Sequence, residues 1–190
     1  RRHTRYPLVT GVQTCALPIL PLANVVGAVN DGWSVAMSTL AFERGTGFMA
    51  GIIDAGHLVD LLFDEARSRS LPNGRKVIDD DEFARRLAEA KAEVTVIRSA
   101  TYRAISRNMR AGAPGPEGSM LKLAYGELVQ RLHRLSIDML GADALRFEYR
   151  GGTRPSTADW LRSFSSTMGG GTSEIQRNII GERVLGLPRG

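Results

Sequence analysis

The sequence predicts an all-α protein, an up-down bundle of three long and two shorter helices. Three observations carry this. Apolar residues recur at helical spacing through three long stretches. The breaks between them are runs of Gly, Pro and Asn, the residues of turns. No stretch repeats the two-residue alternation of a half-buried sheet. Helices patterned in this way bury their apolar stripes against one another, and a bundle is the simplest architecture that does so.

Leu20 to Gly27, LPLANVVG, is short, apolar and β-branched towards its end, and reads as the tail of a strand or an extended lead-in. Asn30 and Asp31 are good helix caps. From Trp33 a long helical pattern runs to about Arg69, with Val35, Met37, Leu40, Phe42, Met49, Ile52, Ile53, Leu58, Leu61, Leu62 and Phe63 as its apolar positions. Gly45, Gly47, Gly51 and Gly56 lower the local helix propensity by about 1 kcal/mol each relative to Ala, a cost that close approach of a neighbour or ligand would explain.

Leu71-Pro72-Asn73-Gly74 is a turn, and Asp79 with Glu82 three residues on resembles a capping box. The second long helix runs from there to about Met109, carried by Leu87, Ala90, Val94, Ile97, Ala100, Ala104 and Ile105. Ala111 to Pro116 breaks it. The third spans about Glu117 to Leu140, with Leu121, Leu123, Leu128, Leu132, Leu135 and Met139 for the core and Gly141 as its stop. Residues 142–155 are loop-like. A shorter helix is expected over Thr157 to Ser166, then a glycine turn over Met168 to Gly171. The last helix opens on a capping box of Ser173 and Gln176, turns Ile175, Ile179, Ile180 and Val184 inward, and ends at Gly186 and Pro188.

Residues 1–19 stand apart. They are basic and lack the apolar stretch of a secretory signal, and Val9 to Ile19, VTGVQTCALPI, resembles the conceptual translation of a sequencing-library adapter. The segment is read as a non-native or disordered tail, residues 20–30 as the end of a preceding domain or linker, and residues 31–190 as the bundle.

The net charge of +5 does not mark a nucleic-acid binder. Arg1, Arg2 and Arg5 lie in the first nineteen residues; without them 22 basic residues face 20 acidic ones with their signs interleaved. Cys15 is the only cysteine and His3, His57 and His133 are scattered, so neither an intrachain disulfide nor a zinc site is expected. No apolar run approaches the roughly 18–20 residues of a membrane span, and none is expected.

Two segments carry a resemblance. GGGTSEIQRNIIGERVLGLPRG, residues 169–190, is similar to the carboxy-terminal signature of acyl-CoA dehydrogenases, and DGWSVAMSTLAFERG, residues 31–45, resembles the first bundle helix of that family, in matching order and separation. The resemblance spans Leu20 to Gly190 and implies the family's carboxy-terminal helical domain, with an amino-terminal helical domain and a β domain lying outside this chain. It implies an FAD-dependent oxidation of an acyl-CoA to the trans-2-enoyl-CoA. It also implies a homo- or hetero-tetramer with FAD bound between subunits, an electron-acceptor protein as partner, and a bacterial cytoplasmic location.

That reaction needs a carboxylate to take the proton α to the thioester and a hydride acceptor for the next carbon. Many family members carry the base as a Glu just before the Gly-Thr of the carboxy-terminal motif. That position is Gly170 here, in Gly170-Gly171-Thr172. A second branch, including isovaleryl- and long-chain-type enzymes, places it on the first bundle helix, which matches Glu43 in Ala41-Phe42-Glu43-Arg44. Glu43 is therefore the expected base, with Leu40, Phe42 and Phe48 to desolvate it and Arg44 as a positioning residue. The alternatives are an exposed carboxylate paired with Arg44, or a non-catalytic subunit that has lost the base.

Gly171, Thr172 and Glu174 match family positions that contact the flavin nucleotide; plain helix capping is the competing account. Arg69 is the nearest match to an Arg that reaches the FAD of a neighbouring subunit, though the aromatic-Gly turn that follows it in the family is missing. Asp138 stands where the family's Gln-x-Leu-Gly-Gly loop has its Gln, and Gly141 is either part of that flavin contact or a helix C-cap.

Overall fold

The computed structural model describes residues 21–43, 47–147 and 157–189. Residues 1–20 with Cys15, residues 44–46 with Arg44, residues 148–156 and residue 190 lie outside the described residues. Six α-helices are described: α1 Gly32–Glu43, α2 Phe48–Ser68, α3 Asp81–Ala111, α4 Gly118–Leu140, α5 Thr157–Ser163 and α6 Ser173–Ile179. The expected long first helix corresponds to α1 and α2, on either side of residues 44–46. Among the described residues there is no strand, and the all-α up-down bundle is what is found.

The chain divides into two compact units, Arg1–Ser38 and Thr39–Gly190. The described part of the first is a 3-10 turn over Leu22–Asn24 and the opening of α1. The expected strand tail is corrected here: Leu22, Val25 and Val26 are exposed. A short β-branched run makes a strand only where another strand satisfies its backbone groups, and none is beside it among the described residues.

The second unit holds the bundle, in which α2, α3 and α4 each pack against the other two. The stripe of α2 is Ile52, Ala55, Val59, Leu62 and Ala66, that of α3 is Leu87, Ala90, Val94, Ile97, Thr101 and Ala104, and that of α4 includes Leu121, Leu128, Leu132, Leu135 and Met139. All sit at helical spacing on one face of their helix. Ile53, expected among the apolar positions of the first helix, points away from this face and is 60% exposed. Phe48 of α2 meets Tyr125 of α4 at 5.7 Å between ring centroids. Gly51 lies so close to the Tyr125 hydroxyl that a Cβ there would collide with it, which accounts for one of the helical glycines.

The ends are chemically defined, two of them one residue away from expectation. Asp80, not Asp79, caps α3, accepting from the N–H groups of Glu82 and Phe83 at 3.1 and 3.2 Å. Gly112, in the left-handed region at φ 73, closes α3. Gly141, at φ 56, closes α4 by donating to Ile137 O. Thr172, not Ser173, caps α6 and accepts from Ile175 N at 3.4 Å.

One further expectation is corrected. Of the residues expected to face inward on the last helix, Ile175 is 48% and Val184 38% exposed, while Gln176 is fully buried. By length and composition alone, residues 32–68 include an 18-residue window of mean hydropathy 1.3. The α2 part of that stretch places five residues in the bundle core, as a core helix does.

Candidate active site

Two of the predicted positions, far apart in sequence, meet in space. Glu43 ends α1, and Gly170 lies in the turn before α6. A Cβ built on Gly170 would stand 3.2 Å from Glu43 Oε1. The carboxylate of Glu43 thus borders the space that a side chain at 170 would enter, so the two candidate base positions address one point.

The turn is held from two sides. Gly170 and Gly171 adopt φ 69 and 105, backbone that disfavours other residues. From α6, the buried Gln176 donates its side-chain amide to Gly170 O and Gly171 O at 3.1 and 3.3 Å. This replaces the capping-box role expected of Gln176. From α4, the buried Lys122 donates to Ser166 O, and its Cε is 3.5 Å from the point where a Gly170 Cβ would sit. Ser166 in turn donates its hydroxyl to Gly126 O at 2.9 Å. A Cβ on Gly126 would stand 2.6 Å from Ser166 O, so only glycine lets the turn seat directly on the helix backbone. Lys122 was not singled out from the sequence, and Gln176 was singled out only as a capping residue. The readable signal was the Ser119, Lys122, Gly126 spacing, which puts small residues and a lysine on one helix face.

The expected apolar enclosure of Glu43 is corrected. Glu43 is exposed, Phe42 is 58% exposed, and Phe48 is turned to Tyr125. The side chains meant to dry the carboxylate do not cover it within this chain.

Thr172 and Glu174 lie at the surface where α6 begins. The Glu174 carboxyl is held below its ordinary pKa, chiefly by its own backbone N–H and then by the Thr172 hydroxyl. Capping accounts for both residues, and both stay within reach of solvent.

Arg69, Asp138 and Gly141 lie elsewhere and are engaged internally. Arg69 Nε bonds Glu65 Oε1 and its Nη1 bonds Asp143 Oδ2, both at 2.8 Å. Asp138 joins Arg86 of α3 at 2.9 Å and Arg134 at 3.0 Å. Gly141 is the C-cap of α4.

A separate groove between α2 and α4 is lined by His57, Leu58, Tyr125, Val129, His133 and Asp159. Burial pushes the His133 imidazole pKa down, with Asp159 opposing, and its Nδ1 is buried without a hydrogen-bond partner among the described residues. The folded chain therefore takes up this proton less readily than the unfolded chain. Stability is expected to be complete above about pH 6.5, the ordinary histidine value, and to decline as pH falls below it and the unfolded state protonates first. Urea midpoints at pH 7.5 and 5.5 check this: the drop should be smaller in His133→Leu, and an equal drop would reject it.

Comparison with known proteins bears on the family and the fold. The acyl-CoA dehydrogenase C-terminal domain model matches residues 30–185. The acyl-CoA dehydrogenase IpdE1 of Mycobacterium tuberculosis is 34% identical over 171 residues, covering 87% of this chain and 40% of that protein. The chain thus spans less than half the length of this curated relative. A crystal structure of the ChsE4-ChsE5 complex from Mycobacterium tuberculosis superposes with a TM-score of 0.71 at 28% identity, over 90% of this chain and 44% of that one. A crystal structure of an FAD-dependent dehydrogenase shares the fold, with a TM-score of 0.73 at 21% identity over 86% of this chain and 42% of the other. The chain belongs to the acyl-CoA dehydrogenase family, and its residues 30–185 correspond to that family's carboxy-terminal helical domain.

Proposed function

We propose that this chain is the carboxy-terminal part of an FAD-dependent acyl-CoA dehydrogenase in which Glu43 removes the α-proton of the acyl-CoA. The observation that carries this reading is the 3.2 Å approach of Glu43 Oε1 to the point where a Gly170 side chain would begin. A base is missing at position 170 and a carboxylate from α1 stands beside the vacant space. Residues 20–30 then lead in from a β domain, residues 31–190 form the bundle, and the chain alone is inactive because the rest of the enzyme closes the site.

Within this scheme Glu43 accepts the proton at a carboxylate oxygen. Gly170 leaves room for the substrate's reacting carbons. Arg44 positions the carboxylate. Gly171, Thr172 and Glu174, at the exposed start of α6, suit polar atoms of the flavin nucleotide. FAD, when bound, accepts the hydride. Arg69 is ion-paired with Glu65 and Asp143, and Asp138 with Arg86 and Arg134. Those ion pairs favour a second reading, a hetero-oligomer in which this subunit does not complete its neighbour's flavin site. The remaining partners proposed are an electron-acceptor protein and further subunits of a tetramer; the location proposed is the bacterial cytoplasm.

The test is anaerobic flavin bleaching in the full-length protein on adding acyl-CoA. Bleaching in the wild type and its loss in Glu43→Gln, with flavin still bound, supports the reading. Equal bleaching in both discards Glu43 as the base.

A further inference from the structure

Gln176 is an amide, yet it is completely buried on α6. Its side chain folds back over the start of its own helix, where Nε2 donates to Gly170 O at 3.1 Å and to Gly171 O at 3.3 Å. With two carbonyl oxygens before it, only the NH2 end of the amide can face the turn. Its Oε1 is buried with no hydrogen-bond partner among the described residues. Both hydrogen bonds of this side chain thus serve the glycine turn. Packing alone would be met by an apolar side chain of the same length, without burying an acceptor.

The turn needs such a hold. Gly170 and Gly171, at φ 69 and 105, have no side chains to restrain their backbone. The peptide joining them is fixed at both of its polar atoms: Gly171 N donates to Met168 O at 3.2 Å, and Gly170 O accepts from Gln176. The next peptide is fixed at Gly171 O by the same amide. A change in either peptide alters the backbone around Gly170, whose Cβ position lies 3.2 Å from Glu43 Oε1. Resting on the reading of Glu43 as the base, we infer that Gln176 is a positioning residue for the reaction: its amide locks the two glycine peptides, and so sets the wall against which the substrate's reacting carbons meet Glu43. A misplacement of about 1 Å at a reacting centre costs about 100-fold in rate.

Two variants of the full-length enzyme test this, through flavin content, KM, kcat and the isotope effect on kcat with α-deuterated acyl-CoA. Gln176→Met keeps the length of the side chain and removes the donor. It is expected to keep flavin content, to change KM less than threefold, and to lower kcat about 10- to 100-fold with a larger isotope effect, because proton abstraction becomes slower. Gln176→Glu donates one hydrogen bond when protonated and repels both carbonyls when ionised. Relative to wild type at the same pH, it should therefore be more active at pH 6 than at pH 8.5, and at pH 6 more active than Gln176→Met. Wild-type kcat in Gln176→Met overturns the inference. So does a loss of kcat that only tracks lost flavin with the isotope effect unchanged, or a glutamate variant no better than the methionine one at pH 6. Full activity in Glu43→Gln instead discards the base assignment, so the two failures are told apart.

Discussion

Glu43→Gln in the full-length enzyme is expected to lower turnover about 10²–10⁴-fold, the usual contribution of a positioned base, and moving the carboxylate to position 170 should restore part of it. The geometry makes the second half specific. The Gly170 Cβ position is 3.2 Å from Glu43 Oε1, so a Glu borne at 170 extends into the volume the native carboxylate borders. The double variant Glu43→Gly, Gly170→Glu therefore replaces one base with another at nearly the same place. Recovery should be incomplete. Gly170 has φ 69, and a side chain in that region costs about 1–2 kcal/mol. The new stem also meets Lys122 Cε at 3.5 Å. At least tenfold recovery over Glu43→Gln is the expected result, read from enoyl-CoA formation at matched flavin content. No recovery in a double variant that keeps its flavin would mean the two positions do not serve one reaction point.

The second large effect is on stability. Leu62 is completely buried among the stripes of α2, α3 and α4, and Leu62→Ala removes its packing and leaves a cavity. Such truncations cost about 2–5 kcal/mol, a large fraction of the roughly 5–15 kcal/mol that a domain of this kind has in total. Ile53 lies on the same helix but is 60% exposed. Ile53→Ala should cost no more than about 0.5 kcal/mol in the isolated chain. Urea unfolding of the two variants compares them directly. Equal losses would show that the face of α2 assigned to the core is wrong.

The long helices were legible because their apolar periodicity is repeated over many turns and bounded by glycines with a defined job, as at Gly112 and Gly141. Their caps were legible only to within a residue. Asp79, Asp80 and Asp81 are all chemically able to cap α3, and backbone geometry selects Asp80. The short α6 was misread at its face. Seven residues give too few turns for periodicity to decide the buried face, and the structure buries Gln176 and exposes Ile175. The candidate site was half legible. The motifs brought out Glu43 and Gly170 as separate alternatives, whereas their adjacency depends on how the turn before α6 meets the end of α1. Lys122 was hidden for a general reason: lysines are rarely buried, and a lone one inside a helical stripe reads as a solvated position.

The seating of Ser166 against Gly126 has a consequence for how this bundle can vary. Where main chain rests on main chain, no rotamer can absorb a change, so the height of the turn above α4 behaves as a fixed dimension of the scaffold. Substitutions around it can change the side chains that frame the contact, while the contact itself stays constant.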